Sequence, residues 1–159
     1  MSQPSLSPHS DRSIAALTQA GLVAGTRVMT TDGDLPVEYL CPGDRVITRV
    51  GIRKLLAVSV RVETDAAMVR IGTGTLGFGR PCRETLVPLH QMILIRDWRA
   101  QALYGAAQAL VAAGRLADGV FIRSETVSEA RIFTLGFDED VVIYADELEM
   151  ACLREAVSA

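Results

Sequence analysis

From Gly25 onward, apolar and polar residues alternate in short runs separated by turn residues. Thr26-Arg27-Val28-Met29-Thr30 alternates and is β-branched, which predicts a strand. Asp32-Gly33 then predicts a tight turn. In the next apolar run, Leu35 to Leu40, Pro36 excludes a central position in a ladder. Pro42-Gly43-Asp44 is a second turn signal and leads into Arg45 to Val50. Between Leu56 and Val62, the residues Leu56, Val58, Val60 and Val62 alternate with Ala57, Ser59 and Arg61. Further strands are predicted at Met68 to Ile71, Gln91 to Ile95, Val120 to Ile122, Arg131 to Phe137 and Val141 to Tyr144. The stretch Arg99 to Leu116 stays open. Ala102, Ala106, Ala107, Ala109, Ala112 and Ala113 favour helix, Gly105 and Gly114 oppose it, and Leu110-Val111 fits a short strand. The pattern predicts an all-β, mainly antiparallel fold with little helix.

The residues before Gly25 read differently. Met1 to Ser10, with Pro4 and Pro8, reads as a flexible leader. Asp11 is placed to cap a short helix through Ala20, with Ile14 and Leu17 on one face and Gly21 as its stop. The expected organisation is a leader over 1–20, one domain over 21–153 and a tail over 154–159. A chain of 159 residues is one domain by size and can bury a core without disulfide or metal staples.

Composition narrows the function classes. Hydrophobic residues make up 49% and charged residues 22% of the chain, as in a folded globular protein. A net charge of -3 argues against a nucleic-acid partner, which calls for a basic excess. The local cluster Arg49, Arg53 and Lys54 reads as a solvated face. Cys41, Cys82 and Cys152 show no C-x-x-C spacing, which argues against zinc and for reduced thiols. Gly72-Thr73-Gly74-Thr75 lacks the lysine and helix of a phosphate loop. Asp138-Glu139-Asp140 lacks the alternating ligands of a calcium loop and reads as a solvated turn. No cofactor and no metal are expected. The N-terminus lacks the order of a signal peptide and no apolar run spans a bilayer. The expected setting is the cytoplasm, with non-classical export left open.

The most specific stretch is Gly21 to Gly51. Gly25-Thr26, Pro36-Val37-Glu38, Leu40 and Gly43-Asp44-x-Val46 occur in order and at fixed spacing. This block resembles the opening of bacterial Hint (hedgehog/intein) domains, in which a cysteine, three residues, Gly-Thr, a strand and P-V-E-x-L-x-x-G-D-x-V follow one another. Thr85 to Leu94 is similar to the family's L-x-x-S-P-x-H-x-V-L segment. Leu110 to Ala113, with Leu116 and Asp118-Gly119, resembles a family strand and connection. Phe137 to Leu153 retains Phe137, Asp138, Val142, Ile143, Ala145, Leu148 and Leu153 of a closing segment. The resemblance implies a compact pseudo-symmetric β fold with its processing residues gathered at the centre.

What the resemblance implies chemically is autocatalytic peptide cleavage or splicing. Family members begin with Cys or Ser, whose side chain attacks the preceding carbonyl. Gly21 stands at that position and has no attacking atom. His90 matches the family histidine that polarises the scissile amide. With the nucleophile missing, His90 is expected as a packed strand residue with one ring nitrogen bonded to backbone. Asp140 stands where a later histidine is common, and a carboxylate is no imidazole shuttle at neutral pH. Thr134 loosely matches another histidine, and Ala151-Cys152 matches an E-S pair.

The vestigial site is therefore expected to comprise Gly21, Thr26, His90 and Asp140. About twenty residues precede Gly21 and few follow Leu153, which leaves no second folded domain to release. The expectation is a non-processing module, not an enzyme, with an unidentified protein or peptide partner and neither nucleic acid nor membrane. The alternative is residual autoproteolysis begun by Thr26, by a cysteine or by water.

Overall fold

The structure is a computed structural model and describes residues 20–76 and 83–154. The predicted leader, its helix up to residue 19, His9, Cys82 and the tail beyond residue 154 lie outside the described residues. Among the described residues twelve strands follow in order, with one α-helix. They are β1 (Leu22–Val23), β2 (Arg27–Thr30), β3 (Gly33–Pro36), β4 (Arg45–Thr48), β5 (Gly51–Lys54), β6 (Ala57–Ile71), β7 (Thr85–Pro88) and β8 (Met92–Ile95). After α1 (Trp98–Tyr104) come β9 (Ala109–Ala112), β10 (Ile122–Gly136), β11 (Val141–Ala145) and β12 (Leu148–Cys152).

These strands form two antiparallel sheets, ordered β1-β10-β6-β7 and β3-β2-β4-β11-β12-β8-β9, with β5 beside β4. The all-β expectation holds. Pro36 ends β3, a strand at the sheet edge, where a missing N–H breaks no ladder.

Two 15-residue strands, β6 and β10, organise the molecule and pair from Ala57↔Gly136 to Ile71↔Ile122. The alternation predicts two separate strands, Leu56–Val62 and Met68–Ile71. They are one strand because β10 pairs on both sides of Asp65 in one register, with only Asp65, at φ of +51°, left out of the ladder. The short strands β7 and β12 escape the pattern for another reason. Leu148 to Ala151 are all buried, so burial on both faces removes the polar alternation by which a strand is recognised.

The ambiguous stretch Arg99 to Leu116 resolves into both readings in turn. Asp97 caps α1 by accepting from the Arg99 N–H at 3.0 Å, and Gly105 ends the helix in a left-handed conformation. Strand β9 and a 3-10 turn over Ala113–Leu116 follow. Val120 and Phe121 are not strand residues as expected but exposed turn residues. The Asp118 carboxylate accepts the N–H groups of Val120, Phe121 and Ile122, and the strand starts only at Ile122.

The main core runs between the sheets and includes Val28, Val46, Ile71, Ile93, Ile122 and Ile143, all fully buried. A second cluster of Ala66, Met68, Ala130 and Ile132 lies along the β6–β10 ribbon. The predicted solvated face is only partly so. Arg49 and Arg96 both pair with the buried Glu149 carboxylate, at 3.2 and 2.6 Å, and Arg53 pairs with Glu139. Among the described residues, no helix is long and apolar enough to cross a membrane.

Candidate functional site at the Gly21 amide

Gly21 leads into β1, which lies along β10 with Leu22 opposite Phe133. Its backbone has φ of +137°, a conformation that L side chains rarely adopt. A Cβ placed there would stand 2.6 Å from Ile132 Cγ2 and 2.8 Å from the Phe133 carbonyl oxygen. The second contact is to the backbone of a central strand, which cannot yield as a side-chain tip can. The residue is closed to a side chain by both torsion and space.

The Gly21 N–H does have a specific partner. It donates to Gln91 Oε1 at 2.9 Å in a buried hydrogen bond. Gln91 Nε2 donates in turn to the Ala151 carbonyl at 2.7 Å and the Met92 carbonyl at 3.0 Å. Because the partners are an N–H and two C=O groups, the amide orientation follows from them. Gln91 is 2% exposed. It lies between β7 and β8, where its own N–H donates to Pro88 O and its carbonyl accepts from Ala113 N. The side chain thereby ties the entrance of β1 to β12 and β8. A carboxamide holds an N–H in place but neither gives nor takes a proton at neutral pH.

His90 precedes Gln91 and is not the strand residue expected. It sits half-buried in the turn between β7 and β8. With Leu89 it lines an open cavity of about 360 Å³ against Glu63 to Ala67 of β6. Among the described residues its ring has no hydrogen bond, so the expected ring-to-backbone bond is absent too.

The remaining predicted positions serve the framework. Thr26 is buried. Its N–H donates to Val23 O at 3.0 Å and its carbonyl accepts from Val37 N at 2.8 Å. Gly25 N–H donates to the Glu38 carboxylate at 2.7 Å. The Asp44 carboxylate accepts from Cys41 N at 2.8 Å, and Asp44 N–H donates to the Cys41 carbonyl. Asp140 is exposed and its carboxylate accepts from the Arg154 N–H. Ala151 contributes only its carbonyl, to Gln91. Thr134 is half-buried on β10 opposite Ser59.

The thiols divide by environment. Cys41 is exposed in its turn. Burial pushes the Cys152 thiol up to about 12, so it stays protonated at neutral pH. Among the described residues, no group of three or more His, Cys, Asp or Glu is arranged to hold a metal ion.

Sequence reading missed Gln91, although it lay beside the matched histidine. A buried amide after a P-x-H segment has no motif of its own. The one available signal was a polar residue opening the apolar run Met92-Ile93-Leu94-Ile95.

The described residues form a twelve-stranded, two-sheet fold with the Gln91 amide at the head of β1. The Hint domain family model matches residues 20–156, and the chain belongs to the Hint domain family. Solved structures agree on the fold. A bacterial intein-like domain from Clostridium thermocellum is similar at a TM-score of 0.62 and 16% identity, covering 85% of this chain and 99% of that one. The gp41-1 intein is similar at a TM-score of 0.56 and 15% identity, covering 82% and 97%. The MchDnaB-1 intein, in its N145AA form, gives 0.55 and 12%, covering 81% and 97%. No curated protein matches by sequence. The chain is thus a Hint, intein-like domain related to self-splicing domains.

Proposed function

We propose that this Hint domain does not process its own chain and serves as a binding or structural module for a protein or peptide partner. The observation that carries this reading is the closure of Gly21 to any side chain. A Cβ would meet Phe133 O at 2.8 Å, so the position offers neither a nucleophile nor room for one. The Gln91 bond to the Gly21 N–H supports it further. An amide that anchors a peptide N–H supplies no acid for a departing nitrogen.

The Cys152 thiol is held neutral by burial. Thr26 is buried, with its backbone bonded to Val23 and Val37. His90 faces the cavity at β6, and among the described residues its ring makes no hydrogen bond.

The test is intact mass of the chain expressed between two flanking tags. A single uncut species over days, with and without added thiol, is expected. Self-generated cleavage before Gly21, or between Gly21 and Thr26, would overturn the proposal and restore the autoproteolytic alternative.

A further inference from the structure

The open edge of β6 carries an inference independent of whether the chain is ever cleaved. Strand β7 covers β6 only over Met68–Ile71, and the last bond on that side runs from Leu89 N to Ala67 O. Among the described residues nothing pairs with the same edge over residues 57–64, although β10 pairs the opposite edge along its whole length. Unpaired N–H and C=O groups on a strand edge are a template for another strand. This edge lacks proline and displays Val60 and Val62, which are 54% and 57% exposed.

We infer that this edge binds a second copy of the chain, β6 against β6 in antiparallel fashion about a two-fold axis at Val62. The symmetry restricts the choices. An axis normal to the sheet keeps each side chain on its own face, so a residue can oppose only residues an even number of positions away. Centring on Arg61 sets two guanidinium groups opposite each other, which is unfavourable. Centring on Val60 sets Arg61 against Ser59. Centring on Val62 sets Arg61 of each copy against Glu63 of the other, twice, with Val62 against Val62 and Val60 against Thr64. Within one copy Arg61 Nε already bonds Glu63 Oε2 at 2.7 Å, so the interface joins two neutral pairs into a four-charge cluster. The cavity of about 360 Å³ between Glu63–Ala67 and the Leu89-His90 turn leaves room where the incoming strand diverges from β7. The product is one continuous sheet through both copies, with no edge left at this position.

Sedimentation analysis of the whole chain tests this, with circular dichroism as the check on folding. The wild type is expected to be a dimer that weakens with salt. Glu63→Arg sets like charges face to face and is expected to weaken association by at least roughly tenfold. The double variant Arg61→Glu, Glu63→Arg rebuilds both the internal and the crossed pairs and is expected to dimerise again. A folded wild type that stays monomeric up to about 1 mM, the limit of weak association, overturns the proposal and leaves the edge to an extended peptide of another chain. A dimer indifferent to Glu63→Arg, or one that the double variant does not restore, overturns the register.

Discussion

The two segments that most resemble the family behave differently once folded. In Gly21–Asp44 the matched polar residues hold the framework. Glu38 binds the Gly25 N–H and Asp44 binds the Cys41 N–H, so the P-V-E and G-D letters record two turns that must close. In Thr85–Leu94 the matched polar residue, His90, has no hydrogen-bond partner among the described residues, and its unmatched neighbour Gln91 makes three side-chain bonds, two of them buried. The lesson is that a motif match reports backbone geometry more faithfully than chemistry. Turns tolerate few substitutes, while the side chain that holds a buried backbone group can differ.

The contrast can be broken most sharply at Gly21. Gly21→Cys introduces the residue type that the family resemblance implies here but forces a Cβ onto Phe133 O in a disfavoured torsion. It is expected to destabilise the fold by about 3 kcal/mol, read by urea denaturation, and to yield no thiol-dependent cleavage by intact mass. Wild-type stability with thiol-sensitive cleavage would show that the site is merely missing its nucleophile.

Gln91→Leu comes next. It leaves the Gly21 N–H and the Ala151 C=O buried and unpaired, an expected loss of roughly 2 kcal/mol. Faster hydrogen exchange at the Gly21 amide would accompany it. Unchanged protection there would mean that the side chain does not anchor β1.

A pH titration sharpens the picture beside this clamp, at Cys152. Its folded pKa is raised from 9.0 to about 12 by burial. The folded thiol therefore keeps its proton in that window while the unfolded thiol loses it. Stability is full below pH 9 and falls as pH rises, by about 1.4 kcal/mol per unit. Cys152→Ala is expected to flatten this slope, measured by denaturation at several alkaline pH values.

Glu38→Ala is expected to cost about 1 kcal/mol through loss of the carboxylate bond to the Gly25 N–H. His90→Ala is expected to change stability by no more than about 0.5 kcal/mol, since the ring is half-exposed and unbonded. If His90→Ala proved the more damaging of the two, the division between framework letters and idle histidine would fail.

How much of this was legible follows from what each feature depends on. Local chemistry made β2, β4, β8 and β11 readable, because alternation and turn residues act over a few neighbours. The same holds for Pro36 at an edge and for the framework block from Gly21 to Asp44. The fusion of two predicted strands into β6 was not readable, because Thr64-Asp65-Ala66-Ala67 has little strand preference and only the β10 ladder extends it. Nor was β12, whose burial on both faces erases the pattern.

The sequence by itself determined the all-β class, the family framework and the lack of a side chain at Gly21. Tertiary structure alone decided that Gly21 has no room for one. That depends on Ile132 and Phe133, more than a hundred positions away. It also decided that Gln91 and not His90 holds the Gly21 amide. Which of two adjacent polar residues turns inward is set by the strands that close around them, and no local pattern records that choice.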